Sequence, residues 1–496
     1  RSRIQSSKYL SEDAGSKWTG SGSYFGAYGG EPDRAAEFPG PDTSLMKDPH
    51  IEKLGIEELP SVLIICQHFP PLNRTAARRP YYLARHLASK GHIVSVVTQE
   101  TGPGDDWNTS LQGMDVVRFP VSRELKSAPF WQRWLLSVHW RLILTPLRPV
   151  IDLITDLLLP LNPRSRLDIG PHDIQQRIKR HDVVIATGPG WSMFEFGALV
   201  SREWNSLFLP DYRDPWSVDM PEVGLFVLSH HGKPPFAWLR EHRMRRLERR
   251  FTRHAHGITA ATPPFLDNAL SVIGDRPSAV VFNGHEAIHH PRRSSPTERF
   301  TLVYTGSVYW EQEWELLSDA LSRMRISHQS EYRDLHILLI GATSTHVPTM
   351  ERVQRMIDKE PCITAIKRMD RDSTIKAQGD ADRLLHLGFR GKKGIVPLKF
   401  LEYIHAEVPI IQVSSGNDIQ EAILKRTRTG IVASDADALL NVLLDGIFSW
   451  RNGHVHTHEP DLVSLMEFTW EHQMERWRQF ILTMHNYHPR GRPVLR

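Results

Sequence analysis

Cysteine is nearly missing from this chain: two residues in 496, Cys66 and Cys362, lie far apart and without metal-ligand spacing. A disulfide framework and a zinc site are therefore excluded as organising features, and a reducing compartment fits best. Long apolar runs are missing too. No stretch approaches the roughly 18–20 uninterrupted apolar residues that span a bilayer, and the first residues lack the basic start and apolar run of a secretory signal. The first residue is Arg1 rather than Met, which fits a fragment or a processed form. Charge of one sign is scarce as well. The balance of 61 basic against 57 acidic side chains leaves a formal +4, too little for a general affinity for nucleic acid, so an electrostatic partner must meet a local patch.

What is present points to two α/β domains. At 40% hydrophobic residues, the chain is too long for one compact core and long enough for two. Residues 1–58, rich in Ser, Gly, Asp, Pro and Lys, are too polar to offset ordering entropy and are expected to be a disordered tail. Order begins at "SVLIICQHF" (61–69), an unbroken apolar run suited to a strand buried on both faces of a parallel sheet. Tyr82, Leu83, His86 and Leu87 follow at helical spacing, Gly91 closes the helix, and Ile93–Thr98 re-enters a strand, completing a βαβ unit. "DVVIAT", "GPGWS" and "SLFLPDYRDPW" continue the doubly wound pattern. After the turn-rich linker "NGHEAIHHPRRSSPTE" (283–298) the rhythm restarts, with strands at "FTLVYTGSV", "LHILLIGA" and "VPIIQV". The expected fold is α/β: two Rossmann-like doubly wound domains, 59–290 and 291–465, facing a central cleft, with a C-terminal helix and tail, 466–496, packing back.

The stretch "GIVPLKFLEYIHAEVPII" (394–411) places Glu402 three residues after Lys399 in otherwise apolar surroundings. Pro397 suits the first turn of a helix because it lacks a donor that would be unpaired there. Glu402 then lies about one turn in, where free N–H groups favour a phosphate and a carboxylate can accept two sugar hydroxyls. Lys399 adds a positive charge. The same spacing also suits a solvated Lys–Glu pair on a helix surface, and spacing alone leaves both readings open.

The string "ADRLLHLGFRGKKGIVPLKFLEYIHAEVPIIQVSSGNDIQEAILKRTRTGIV" resembles the donor-binding region of family 4 glycosyltransferases of the GT-B fold. "FPPLNRTAARRPYYLARHLASKGHIVSVVT", "GPGWS", "DYRDPW", "TPPFLDNAL", "VVFNGHE" and "YTGSVY" resemble further segments of that family in the same order, over roughly residues 60–485. The resemblance implies retaining transfer of a sugar from a UDP- or GDP-sugar donor to a glycan or lipid-linked acceptor hydroxyl. It makes the first domain the acceptor domain and the second the donor domain. It implies that Glu402 holds the nucleotide ribose, that Lys399 lies near the diphosphate, and that Gly306 and Ser307 act as backbone donors. Asn283 and Gly284 read as the end of a strand and a turn, with contact between Asn283 and the donor as the other reading. No metal cofactor is expected, because helix amides and a cation replace it. The family's sugar-contacting Glu falls on Gly394, its diphosphate-gripping Arg and Lys are replaced by "GSVYWEQEWELL", and its early glycine pair by Leu72, Asn73 and Arg74.

Other signals carry paired readings. Arg213 and Asp214 follow an apolar strand and are either a buried structural ion pair or acceptor-site residues. Asp-x-Asp triplets at Asp370, Asp380 and Asp435 read as solvated carboxylates or helix caps rather than metal ligands. His68, at the end of the first strand, is a candidate cleft residue. Residues 129–161, with Trp131, Trp134 and Trp140, and the arginine-rich 239–254 suit either an anionic membrane surface or an amphipathic helix packed on its own domain. The expectation is a cytoplasmic transferase, peripheral at the inner face of the membrane, serving polysaccharide, lipopolysaccharide or glycolipid synthesis. A catalytically silent GT-B relative acting as a partner subunit and a sugar-nucleotide epimerase are the alternatives.

Overall fold

The computed structural model describes residues 59–101, 107, 109–119, 174, 176–188, 192–217, 237–286, 297–344, 346–414, 416, 418–453 and 459–488. The proposed tail, residues 129–161 and most of "GPGWS" lie outside them.

The first sheet has seven strands in the order β3-β2-β1-β4-β5-β6-β7, all parallel. They are β1 Val62–Cys66, β2 Val94–Gln99, β3 Met114–Phe119, β4 Val183–Thr187, β5 Leu207–Tyr212, β6 Ile258–Ala260 and β7 Ser278–Val280. Strands β1 and β4 are buried at every position, as unbroken apolar β-branched runs require of a sheet covered on both faces. The second sheet runs β10-β9-β8-β11-β12-β13, again parallel. Its strands are β8 Phe300–Thr305, β9 Leu335–Ile340, β10 Ile363–Ile366, β11 Arg383–Leu387, β12 Ile410–Val413 and β13 Gly430–Ala433.

In both sheets the chain starts in the middle and winds outward in both directions, so the order reverses between β1 and β4 and between β8 and β11. Loops leaving the carboxyl ends of those strands diverge and open a crevice. The described helices cover the faces. Helix α1, Thr75–Ser89, buries Tyr81, Tyr82, Leu83 and Leu87 in the same apolar cluster as β1 and β2. The C-terminal helix, Trp470–Tyr487, adds Met474, Trp477 and Ile481 to that cluster, so the end of the chain packs on the first sheet.

The arginine-rich segment is a helix, Ala237–Thr252. Met244 and Phe251 join the first-sheet core, while Ser217 donates to the buried Glu248 carboxylate and Arg249 Nε donates to the Val272 carbonyl at 2.9 Å. Glu248 and Arg249 are thus tied to the rest of the domain. Among the described residues no helix is long and apolar enough to cross a membrane.

Candidate active site

A cavity of about 1050 Å³ is lined by residues from both sheets, and they sit where the strands end. Asn73, Thr75 and Arg78 follow β1; Arg213 and Asp214 follow β5; Thr262 and Phe265 follow β6; Asn283 to Glu286 follow β7. From the second sheet come Gly306 and Ser307 after β8, Gly341 and Thr343 after β9, Arg368 to Arg371 after β10, and Lys392 to Lys399 with Glu402 after β11. Lys399, Arg213, Asp214, Glu402, Gly306, Ser307, Pro397 and Asn283, singled out from sequence, all line this one space.

Glu402 lies on a short helix, Leu398–Ile404, whose apolar face, Phe400, Leu401, Tyr403 and Ile404, is buried. Pro397 is not inside that helix but is its N-cap, with ψ 149° in the extended region. The ring fixes φ and the missing N–H costs nothing at this boundary. The helix has only 7 residues; attraction for an anion therefore comes from side chains more than from a macrodipole. Glu402 Oε1 is 3.2 Å from Arg371 Nη1 and 3.9 Å from His285 Nε2, and its side chain is 16% exposed. Burial alone would raise its pKa, but His285 and the Arg371 charge outweigh burial and hold the carboxyl below its ordinary value.

Lys399 is placed differently. Its Nζ donates to the Tyr304 hydroxyl at 2.5 Å and to the Ser307 carbonyl at 3.3 Å, and lies 4.0 Å from the centre of the Tyr304 ring. Both hydrogen-bond partners are neutral, and no carboxylate pairs with this ammonium among the described residues. Burial pushes its pKa down to about 7. The expected full positive charge is thus conditional on pH, because the site offers a lone ammonium little compensation.

Gly306 takes the left-handed conformation, φ +85°, and its N–H donates to the Ile340 carbonyl at 2.9 Å. It is committed to the exit of the β8–β9 ladder, so the expectation that it offers its amide to a ligand does not hold. Ser307 presents its carbonyl to Lys399 and to the Tyr304 hydroxyl.

Arg213 and Asp214 pair with each other, Nη2 to Oδ2 at 2.7 Å, with side chains 15% and 44% exposed. They form a cavity-wall pair rather than a buried structural one. The buried ion pair belongs to the first aspartate of "DYRDPW": Asp211 accepts from Arg79 Nε and Nη2 at 2.9 and 2.7 Å, and from Thr187 and Thr259 hydroxyls at 2.8 Å each. Asp370 and Asp435 cap helices, accepting from the Ser373 and Ala438 amides, while Asp380 follows the helix Arg371–Gly379. Among the described residues no group of His, Cys, Asp and Glu could hold a metal ion. His68 is not among the cavity-lining residues; its Nδ1 lies 3.2 Å from Gln99 Nε2.

Sequence reasoning missed Arg78, Arg368, Arg371, His285 and Glu286, all in the cavity wall. Arg371 was hidden inside a helix-capping motif, and His285 and Glu286 inside a stretch read as a linker. His285 and Glu286 were signalled by the segment "VVFNGHE" and Arg78 by its place after the first strand, whereas Arg368 and Arg371 follow β10, a strand the sequence reading did not pick out.

No protein-family model matches the sequence, and no curated protein matches it. Solved structures do. HepE of Anabaena, solved with UDP, is similar over 85% of this chain and 100% of its own, at 12% identity and a TM-score of 0.52. Sucrose-phosphate synthase of Thermosynechococcus elongatus covers 86% and 100%, at 14% identity and 0.52. A glycosyltransferase of Rickettsia africae covers 86% and 99%, at 13% identity and 0.54. Two parallel sheets whose strand ends meet across one cavity, together with likeness over nearly the whole of each of those chains, give this chain the GT-B fold.

Proposed function

We propose that the chain is a retaining glycosyltransferase that moves a sugar from a nucleotide-sugar, of the UDP or GDP class, to an acceptor hydroxyl. The observation that carries this reading is the meeting of Glu402 and Lys399 in one cavity between the strand ends of the two sheets. HepE binds UDP in its solved complex, and a second complex holds UDP-glucose. In the proposal Glu402, with its carboxyl kept ionised, accepts hydrogen bonds from the ribose, and Asn283 and the Pro397 turn border the donor. Lys399 carries its charge to the diphosphate, joined by Arg371 and Arg368 on the cavity wall. Ser307 holds Lys399 in place.

The chemistry follows from that placement. The bond from the anomeric carbon to the diphosphate oxygen breaks, the bond to the acceptor oxygen forms on the same face, and the acceptor's proton passes to the departing diphosphate. The protein orients the partners and stabilises the charge that grows on the diphosphate; the cations named above fill the role a metal ion would otherwise take. Arg213 and Asp214 border the first-sheet side, where the acceptor enters. We assign the acceptor to glycans or lipid-linked glycans, with the exposed Arg246 and Arg250 facing an anionic membrane.

A specific observation favours a second reading, a nucleotide-binding protein without turnover. Gly306 has no amide to offer, and Gly394 leaves no carboxylate over the sugar. The same gap weighs against an epimerase, which needs an acid and a base there. Incubation with UDP- and GDP-sugars, with and without glycan lipids, separates the readings. Acceptor-dependent release of nucleoside diphosphate, lost in Glu402→Ala, is the expected result; binding without release under every donor supports the silent reading.

A further inference from the structure

His285 is anchored by its backbone, not by its side chain. Its N–H donates to the Phe468 carbonyl at 2.9 Å and its carbonyl accepts from the Trp470 N–H at 3.1 Å, so the exit of β7 is bound to the start of the last helix. The fit is tight: a Cβ on Gly284 would come within 2.6 Å of Trp470 Cα. The imidazole is thereby pressed into the cavity wall, 8% exposed, its ring stacked on His405 at 5.2 Å and 26°.

Among the described residues neither ring nitrogen has a hydrogen-bond partner. A buried polar atom left unpaired is destabilising, and native sites resolve such atoms with a ligand or water. Glu402 Oε1 is 3.9 Å from Nε2, too long for a direct hydrogen bond. It is the right separation for a shared third atom. A hydroxyl oxygen about 2.8 Å from both atoms subtends roughly 90° between them, an angle at which it can accept from one and donate to the other.

We propose that His285 is a ligand-binding residue for a sugar hydroxyl: its imidazole N–H donates to the same hydroxyl that donates to Glu402. The inference rests on the donor-site reading above, and the hydroxyl belongs to the ribose of the bound nucleotide. Glu402 alone, an acceptor only, tests a hydroxyl for its proton; with His285 opposite, the site also requires the oxygen lone pair. A deoxyribose then leaves both a buried N–H and a buried carboxylate oxygen unanswered, so the pair selects ribonucleotides.

Calorimetric titration with UDP, 2′-deoxy-UDP and 3′-deoxy-UDP tests this, on the full chain and on His285→Phe, which keeps a ring on His405 but has no N–H. The unaltered protein is expected to bind UDP at least about 10-fold more tightly than the analogue lacking the shared hydroxyl. In His285→Phe, UDP should weaken toward that analogue, whose own affinity should hardly change. His285→Gln, which retains a donor, should recover part of the preference and serves as the test variant if phenylalanine impairs folding. A histidine that only packs would lose affinity for all three nucleotides by one factor, and that result overturns the inference. Full discrimination retained in His285→Phe but lost in Glu402→Ala overturns it too, while leaving the donor site standing. The corresponding GDP series is titrated alongside; if the unaltered protein binds neither UDP nor GDP, both readings fall.

Discussion

The Thr262 hydroxyl donates to the Gly394 carbonyl at 3.0 Å, joining the loop after β6 of the first sheet to the loop after β11 of the second. Gly394 has φ +84°, its N–H donates to Asp418 Oδ1 at 3.0 Å, and a Cβ there would lie 2.9 Å from Pro264 Cβ. Where the resembling family carries a sugar-contacting glutamate, this chain has a glycine, and the side chains of Thr262, Pro264 and Phe265 from the first domain occupy the space a side chain would need.

Gly394→Ala should therefore destabilise the protein by more than the left-handed conformation alone, about 1–2 kcal/mol, accounts for. Gly391 is the control. It also has positive φ, +65°, but nothing within 4 Å of an added Cβ. Urea unfolding of Gly391→Ala should show the conformational cost alone and Gly394→Ala a larger one; equal losses would mean that the loop yields freely.

Arg79 of α1 and Asp211 of β5 form a buried bidentate ion pair. Arg79 is 1% exposed and Asp211 fully buried, and the guanidinium also donates to the Val281 carbonyl at 2.6 Å and lies over the Trp477 ring at 4.5 Å. It thus links α1, β5, the β7 exit and the last helix. Arg79→Met should cost about 3–5 kcal/mol, because it strands a buried carboxylate. Adding Asp211→Asn should cost less than the two single losses summed, since the second change removes the stranded charge. Denaturant midpoints of both singles and the double measure this.

Lys399→Met should stabilise the ligand-free protein while weakening diphosphate binding by roughly 10–100-fold, the scale of a lost charged hydrogen bond. The sign with pH follows from the lysine titrating at about 7 when folded against an ordinary 10.5. Between those values the unfolded chain binds more protons, so the unaltered protein gains stability as pH rises through that window. The variant lacks the gain. Its advantage in melting temperature should be largest below about pH 7 and fade toward pH 10. An advantage independent of pH would show that the ammonium is not burdened by burial.

The fold was legible in the sequence because unbroken runs such as "VLIIC" and "VVIAT" can only be strands covered on both faces, and each is closed by a turn residue. Glu402 and Lys399 were legible because an acid and a base in an apolar segment just past a strand demand an explanation. What escaped was set by three-dimensional packing. The committed amide of Gly306 depends on Ile340, and the lowered pKa of Lys399 depends on its burial, which no spacing reveals. His285 and Arg371 reach Glu402 from distant parts of the sequence, so their convergence is a property of the fold alone.

In the proposed function Glu402 faces a nucleotide in the cavity and is not part of the core. Equilibrium binding of UDP to the unaltered protein and to Glu402→Ala, with melting temperatures measured alongside, tests it most directly. The account predicts a loss of about 10–100-fold in affinity with the melting temperature nearly unchanged. Equal UDP affinity in the two proteins, or a variant that no longer folds, would contradict it.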